Sequence, residues 1–276
     1  MDCAAATGSR AIVAGPVRSR RASERIFLGA SALVFAASAT ATVVWCTSMS
    51  TDGMPMPGGW TMSMAWMRMP GQTWAGAAAS FLGMWIAMMV AMMLPSLLPM
   101  LRRCREAVDE TDETRRGWLT ALIALGYFAV WTALGIVAFP VGVALAALEM
   151  RLPPLARAVP LAVGVVVLIA GVVQFTGWKA RQLACCREAP GSGRTLAADA
   201  GTAWRYGLRL GLHCCSCCAG PTAILLAVGV MDLRAMAAVA AAITAERFAG
   251  ERVARAIGAV AIAASLLVIA KAAGLD

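Results

Sequence analysis

Charge is what this sequence has least of. Only 14% of its 276 residues are Asp, Glu, Lys or Arg, where a soluble domain carries roughly 25%. That deficit excludes an ordinary water-facing surface. Histidine is nearly missing, with His213 the single example. A bis-histidine haem and a His-Glu-x-x-His zinc protease are thereby excluded. The chain has no Gly-x-x-x-x-Gly-Lys-Ser/Thr loop, which argues against an ATP-driven pump. Loop acids such as Asp109 and Asp199 form no catalytic pair, and no enzyme activity is assigned.

Apolar residues fill the space that charge leaves. They make up 60% of the chain, with a mean hydropathy of +0.73. A helix needs about 20 apolar residues to cross a bilayer. Seven segments qualify or come close: 26–46, 76–101, 118–148, 155–177, 206–230, 235–250 and 253–273. The sixth is short. The expected fold class is all-α, a polytopic transmembrane helical bundle of about seven helices. Residues 1–25 read as a cytoplasmic tail and 26–273 as one membrane domain. The first segment has an alternative reading as a cleaved signal, with Ala37-Ser38-Ala39 as the cleavage site.

The net charge of +9 does not point to nucleic acid, because the basic residues sit in short clusters between apolar runs. In a seven-helix arrangement, 19 of them fall on one side and five on the other. The positive-inside rule then places the N-terminus in the cytoplasm. Membrane lipid is the expected surrounding.

Sulfur is unusually abundant. Seven methionines fall within 49–69, and 13 of the 17 lie between Met49 and Met100. The loop 47–75 should face the periplasm, and its Gly and Pro residues suggest an irregular loop able to wrap an ion. Thioethers are soft, uncharged ligands suited to Cu(I). The alternative is an interfacial loop resting its Met and Trp side chains on the membrane. In the second segment, Met84, Met88 and Met92 form one helical stripe, and Met89 and Met93 a second beside it. Pro95 should free the carbonyl near Ala91. Plain core packing is the competing explanation.

The fifth segment carries His213, Cys214, Cys215, Cys217 and Cys218. Cys214, Cys217 and Cys218 share a helical face, with His213 at its edge. Pro221 should free the carbonyl of Cys217. This cluster could hold a soft metal, or Cys214 and Cys217 could work as a thiol–disulfide pair, or the small thiols could simply pack between helices. At 1.5 Å per residue the methionines lie roughly 12–26 Å from one face and the cysteines roughly 10–18 Å from the other, so the two sets meet near the midplane. Cys185 and Cys186 are adjacent and cannot both face one site. They read as a cytoplasmic ligand pair or as inert thiols. Glu246-Arg247 reads as a plain charged anchor, with a local charge pair or a counter-charge to a cation path as alternatives.

The order of these motifs has a likeness. A methionine-rich outer loop precedes Trp85-x-x-Met88-x-x-x-Met92-Met93-x-Pro95-x-x-x-Pro99. Tyr127, Trp131 and Gly135 follow, then Gln174-x-Thr176-x-x-Lys179, Cys214-x-x-Cys217-Cys218 and Glu246-Arg247. Over roughly residues 26–270 this resembles a bacterial family of predicted metal-binding integral membrane proteins, a domain of unknown function sometimes labelled copper chaperone. Gln182 stands where the family carries a cysteine three residues after the lysine, and Ala219 where it often has an aromatic. Cys186 matches the family's cysteine before arginine. The resemblance implies metal binding.

The expectation is therefore binding, handling or transport of a soft metal, with copper as Cu(I) the cofactor or cargo. The outer methionines would capture it, and His213, Cys214, Cys217, Cys218, Met84, Met88, Met89, Met92 and Met93 would hold it. A metal donor or acceptor protein would be its partner. A thiol–disulfide oxidoreductase and a structural membrane subunit remain the alternatives.

Overall fold

A computed structural model describes residues 17–49, 53–107, 112–187 and 199–274. The sequence before 17, residues 50–52 and residues 188–198 lie outside the described residues, and with them Arg10, Arg194 and parts of the tail and loops expected above. The described chain is an all-α bundle of α1 (Val17–Met49), α2 (Trp74–Ala107), α3 (Glu113–Arg151), α4 (Pro153–Val173), α5 (Gly177–Arg187), α6 (Ala200–Val228), α7 (Leu233–Ala249) and α8 (Glu251–Ala272). A small antiparallel pair, β1 (Met54–Met56) and β2 (Trp60–Met62), joins α1 to α2.

The helix limits have local causes. Asp112, Asp199 and Asp232 cap α3, α6 and α7, each accepting a backbone N–H of the first turn. Such caps satisfy donors that the helix itself cannot. The backbone bonds to Asp199 hold its carboxyl below the usual carboxylate range. Pro153 and Pro154 open α4, where a missing N–H costs nothing. Gly250, at φ 85°, turns α7 directly into α8, a conformation only glycine adopts freely.

Six helices (α1, α2, α3, α4, α6 and α8) are long and apolar enough to cross a membrane. Large apolar side chains such as Leu33, Val137, Ile169 and Leu267 are exposed on their outer faces. Unpaired apolar area on that scale belongs in lipid, and the chain is a multi-pass membrane protein. The short sixth segment forms α7, of 17 residues, or about 25 Å of helix. Although shorter than the six, it runs the same way as the buried length of α2. Met231 at its start shares a cleft with Met84, and Arg247 near its end donates to the Ser96 carbonyl.

Glycines set the closest helix crossings. A Cβ on Gly207 would lie 2.2 Å from the Ile123 oxygen, and one on Gly211 would lie 2.8 Å from the Tyr127 oxygen. Because 207 and 211 follow 123 and 127 in the same order, α3 and α6 run parallel. Small residues allow such backbone contact in membranes. On the other side of the bundle, α4 and α8 run antiparallel, with Gly164 against Ile269 and Gly258 against Gln174. α2 lies at the centre and buries 56% of its membrane window, against 6% for α1.

Two expectations change here. The loop 47–75 is not irregular throughout. Met54 pairs with Met62 across a turn at Gly58 and Gly59, both at positive φ. The hairpin docks on the start of α4, where Trp60 Nε1 donates to the Ala156 carbonyl over 2.8 Å. Removing that donor with Trp60→Phe should cost the docked hairpin about 1 kcal/mol. The expected result is faster protease cleavage within 53–72 in detergent, with an unchanged melting temperature for the bundle. The second change is α5, which occupies the beginning of what reads as a loop. Its eleven residues intermingle apolar and charged side chains without an apolar period to announce it, and it is held by its neighbours α6 and α7.

Candidate metal centre

The cysteine helix builds the site first. Cys214, Cys217 and Cys218 on α6 are all buried, as one helical face requires. Cys214 Sγ lies 3.8 Å from Cys218 Sγ. Its other neighbours come from separate helices. The Tyr127 hydroxyl of α3 is 2.9 Å away, and Arg247 Nη2 of α7 donates to the sulfur over 2.6 Å. Cys186 of α5 and Cys217 share a thiol–thiol hydrogen bond. That bond, together with burial, pushes the Cys186 thiol well above its ordinary value.

Pro221 leaves the carbonyl of Cys217 without its helical partner, and the structure shows what takes that place. Lys179 Nζ donates to the Cys217 oxygen over 2.7 Å and to Glu246 Oε2 over 2.6 Å. Gln174 Nε2 completes the carboxylate by donating to Glu246 Oε1 over 2.7 Å. The side chains of Lys179 and Glu246 are each 2% exposed, so the ion pair is sealed from water. Burial opposes the charge on Lys179, but Cys217 and Glu246 outweigh it and raise its pKa.

The anchor reading of Glu246-Arg247 is therefore overturned: both side chains point inward and are buried. Lys179 and Arg247 also leave the count of loop charges, which becomes 17 against five without changing its bias.

The methionine helix faces the same interior. Met84, Met88, Met89, Met92 and Met93 are all buried and belong to one continuous core with Cys104, Cys186, Cys214, Cys217 and Cys218. Trp85 Nε1 donates to the Trp131 carbonyl over 2.8 Å, which fixes the rotation of α2 against α3. His213 is placed differently from the thiols. It is half-buried, and its Nδ1 lies 3.4 Å from Gln182 Oε1 on α5, with the tautomer setting which atom donates. Cys215 is also half-buried. Among the described residues, no three His, Cys, Asp or Glu side chains are gathered as a metal cage, so any such site must draw on thioethers or rearrange.

A cavity of about 140 Å³ reaches this centre from the end opposite the hairpin. Ser96, Met100, Arg103, Cys186 and Arg247 are among its lining. Of the electrostatic partners, Lys179 and Tyr127 have no role of their own in the sequence, and Arg247 reads there as a charged anchor. Their signal was present nonetheless, as the few polar side chains inside apolar segments, where such groups are costly unless used.

These features define a class: a multi-pass membrane protein with a buried, sulfur-rich polar centre. The sequence profile of a family described as copper chaperone (PpoB2) matches residues 82–268, well over half of the chain. The chain belongs to that family. No curated protein and no solved structure matches it significantly.

Proposed function

We propose that this protein holds Cu(I) inside the bacterial cytoplasmic membrane and exchanges it with a donor or acceptor protein. Cys214, Cys217 and Cys218 are the principal ligands. The thioethers of Met84, Met88 and Met92, with Met89 and Met93 beside them, supply further soft donors, and His213 stands at the margin. The hairpin faces the periplasm and the start of α1 the cytoplasm, in keeping with the basic-residue bias.

The observation that carries this reading is the charge around the thiols. A metal-binding cysteine acts as thiolate. Ionised as ligands, Cys214, Cys217 and Cys218 join Glu246 in bringing four negative charges, while Arg247 and Lys179 supply two positive ones. A bound cation offsets the excess in a medium that tolerates little net charge. Sulfur donors favour a soft ion such as Cu(I) over harder divalent ions.

The test is metal content and competition on purified protein. Wild type should retain Cu(I) against a chelator that strips Zn(II), and changing Cys214, Cys217 and Cys218 together to Ser should remove the thiol-bound equivalent. Retention of all copper by the triple variant would overturn the site.

A further inference from the structure

The hairpin side of the bundle holds a separate cluster of sulfur. Met64, Met67 and Met69 follow β2, and the structure brings them to Met84 of α2 and Met231 at the start of α7. These five methionines line one cleft with a cavity of about 20 Å³. A cavity needs roughly 10–15 Å³ to take one water, so the space suits a single atom-sized guest. Among the described residues, no cysteine lines it.

The thioethers are graded in depth. Met69 is 38% exposed at the mouth, whereas Met84 is 1% exposed. Their scaffold is fixed before any guest arrives. Ser63 caps the short 3-10 helix Met64–Trp66 by accepting from Ala65 N. The Trp66 ring packs on Phe81 with centroids 5.1 Å apart, and a Cβ on Gly142 would lie only 2.3 Å from that indole. Arg68, between Met67 and Met69, sits over the Trp74 ring at 5.5 Å. Its charge has a π-face to rest on outside the sulfur cluster.

We infer that this cleft is a second, thioether-only site for a monovalent soft cation, Cu(I) or Ag(I). Met64, Met67 and Met84 form its inner donors, with Met69 and Met231 at the rim. Neutral sulfur ligands bind soft ions and discriminate against Zn(II) and Mg(II). Because thioethers carry no proton to lose, binding here should not weaken as pH falls, unlike binding at thiols. The site uses no thiol and shares only Met84 with the proposed thiol-centred site, whose stripe continues through Met88 and Met92.

Titration of purified full-length protein with Ag(I) and Cu(I) tests this. A variant with Cys186, Cys214, Cys217 and Cys218 changed to Ser should still take up about one equivalent, equally at pH 5 and pH 7. Adding Cys46→Ser, which removes the nearby thiol of α1, should leave that equivalent in place. Met64→Leu, Met67→Leu and Met69→Leu together, with all cysteines intact, should abolish it while thiol-dependent binding persists. Leucine preserves volume and apolar character, so folding is readable separately by the melting temperature. An unchanged stoichiometry in the triple leucine protein overturns the second site, as does a serine variant, with or without Cys46→Ser, that binds nothing. Failure of the thiol centre would instead appear as an unchanged stoichiometry in the serine variant.

Discussion

Lys179→Met should destabilise the protein by about 3–5 kcal/mol, the usual cost of removing one member of a buried ion pair. The substitution keeps the apolar stem and removes the ammonium. It strands the Glu246 carboxylate, which keeps only Gln174 as a donor, and it empties the place at the Cys217 carbonyl that Pro221 had opened. Thermal unfolding in detergent should show a large drop in melting temperature. Neutralising both partners, as Lys179→Met with Glu246→Gln, should recover part of the loss, since the stranded charge is then gone. A double variant no more stable than the single one would mean that the pair contributes mainly through the Cys217 carbonyl.

Gly207→Ala is expected to have an effect of comparable size from one methyl group. Its Cβ would sit 2.2 Å from the Ile123 oxygen, and the obstacle is backbone, so no side chain can rotate away. Overpacking commonly costs about 1–3 kcal/mol and more where the backbone must shift. α3 and α6 have to separate, and that separation pulls Tyr127 from Cys214, now 2.9 Å apart. Both the melting temperature and copper retention should fall. Gly117→Ala, at a glycine with open space around it, is the matched control and should change neither.

Much of the architecture was legible because lipid enforces a simple rule. Apolar length alone located α1 to α4 and α6 to α8, although every helix starts earlier than its apolar segment, α1 by nine residues, and α4, α6, α7 and α8 end one to four residues sooner. α5 was hidden because its stability comes from what it packs on, not from its own period. Proline spacing correctly marked the Cys217 carbonyl as available, but nothing local revealed that a lysine 38 residues earlier would fill it. Arg247 escaped for a similar reason: a basic residue near a helix end ordinarily signals the membrane boundary. Which end of a helix faces inward depends on its neighbours, and that is tertiary information. The thiol face, by contrast, follows from spacing alone, and all three of its cysteines are buried.

The bonds of Lys179 also have a mechanical meaning. One ammonium rivets the α5 backbone it stands on to a carbonyl of α6 and a carboxylate of α7, and Gln174 ties the end of α4 to the same carboxylate. Four helices are thus tied into one block that carries the thiols. α2, which carries the thioethers, meets this block across the longer 3.5 Å bond from Arg247 to Ser96 and across apolar side chains. The boundary between the two kinds of sulfur therefore coincides with the edge of this hydrogen-bonded block, so the thiols share one rigid frame and the thioethers of α2 stand on its neighbour.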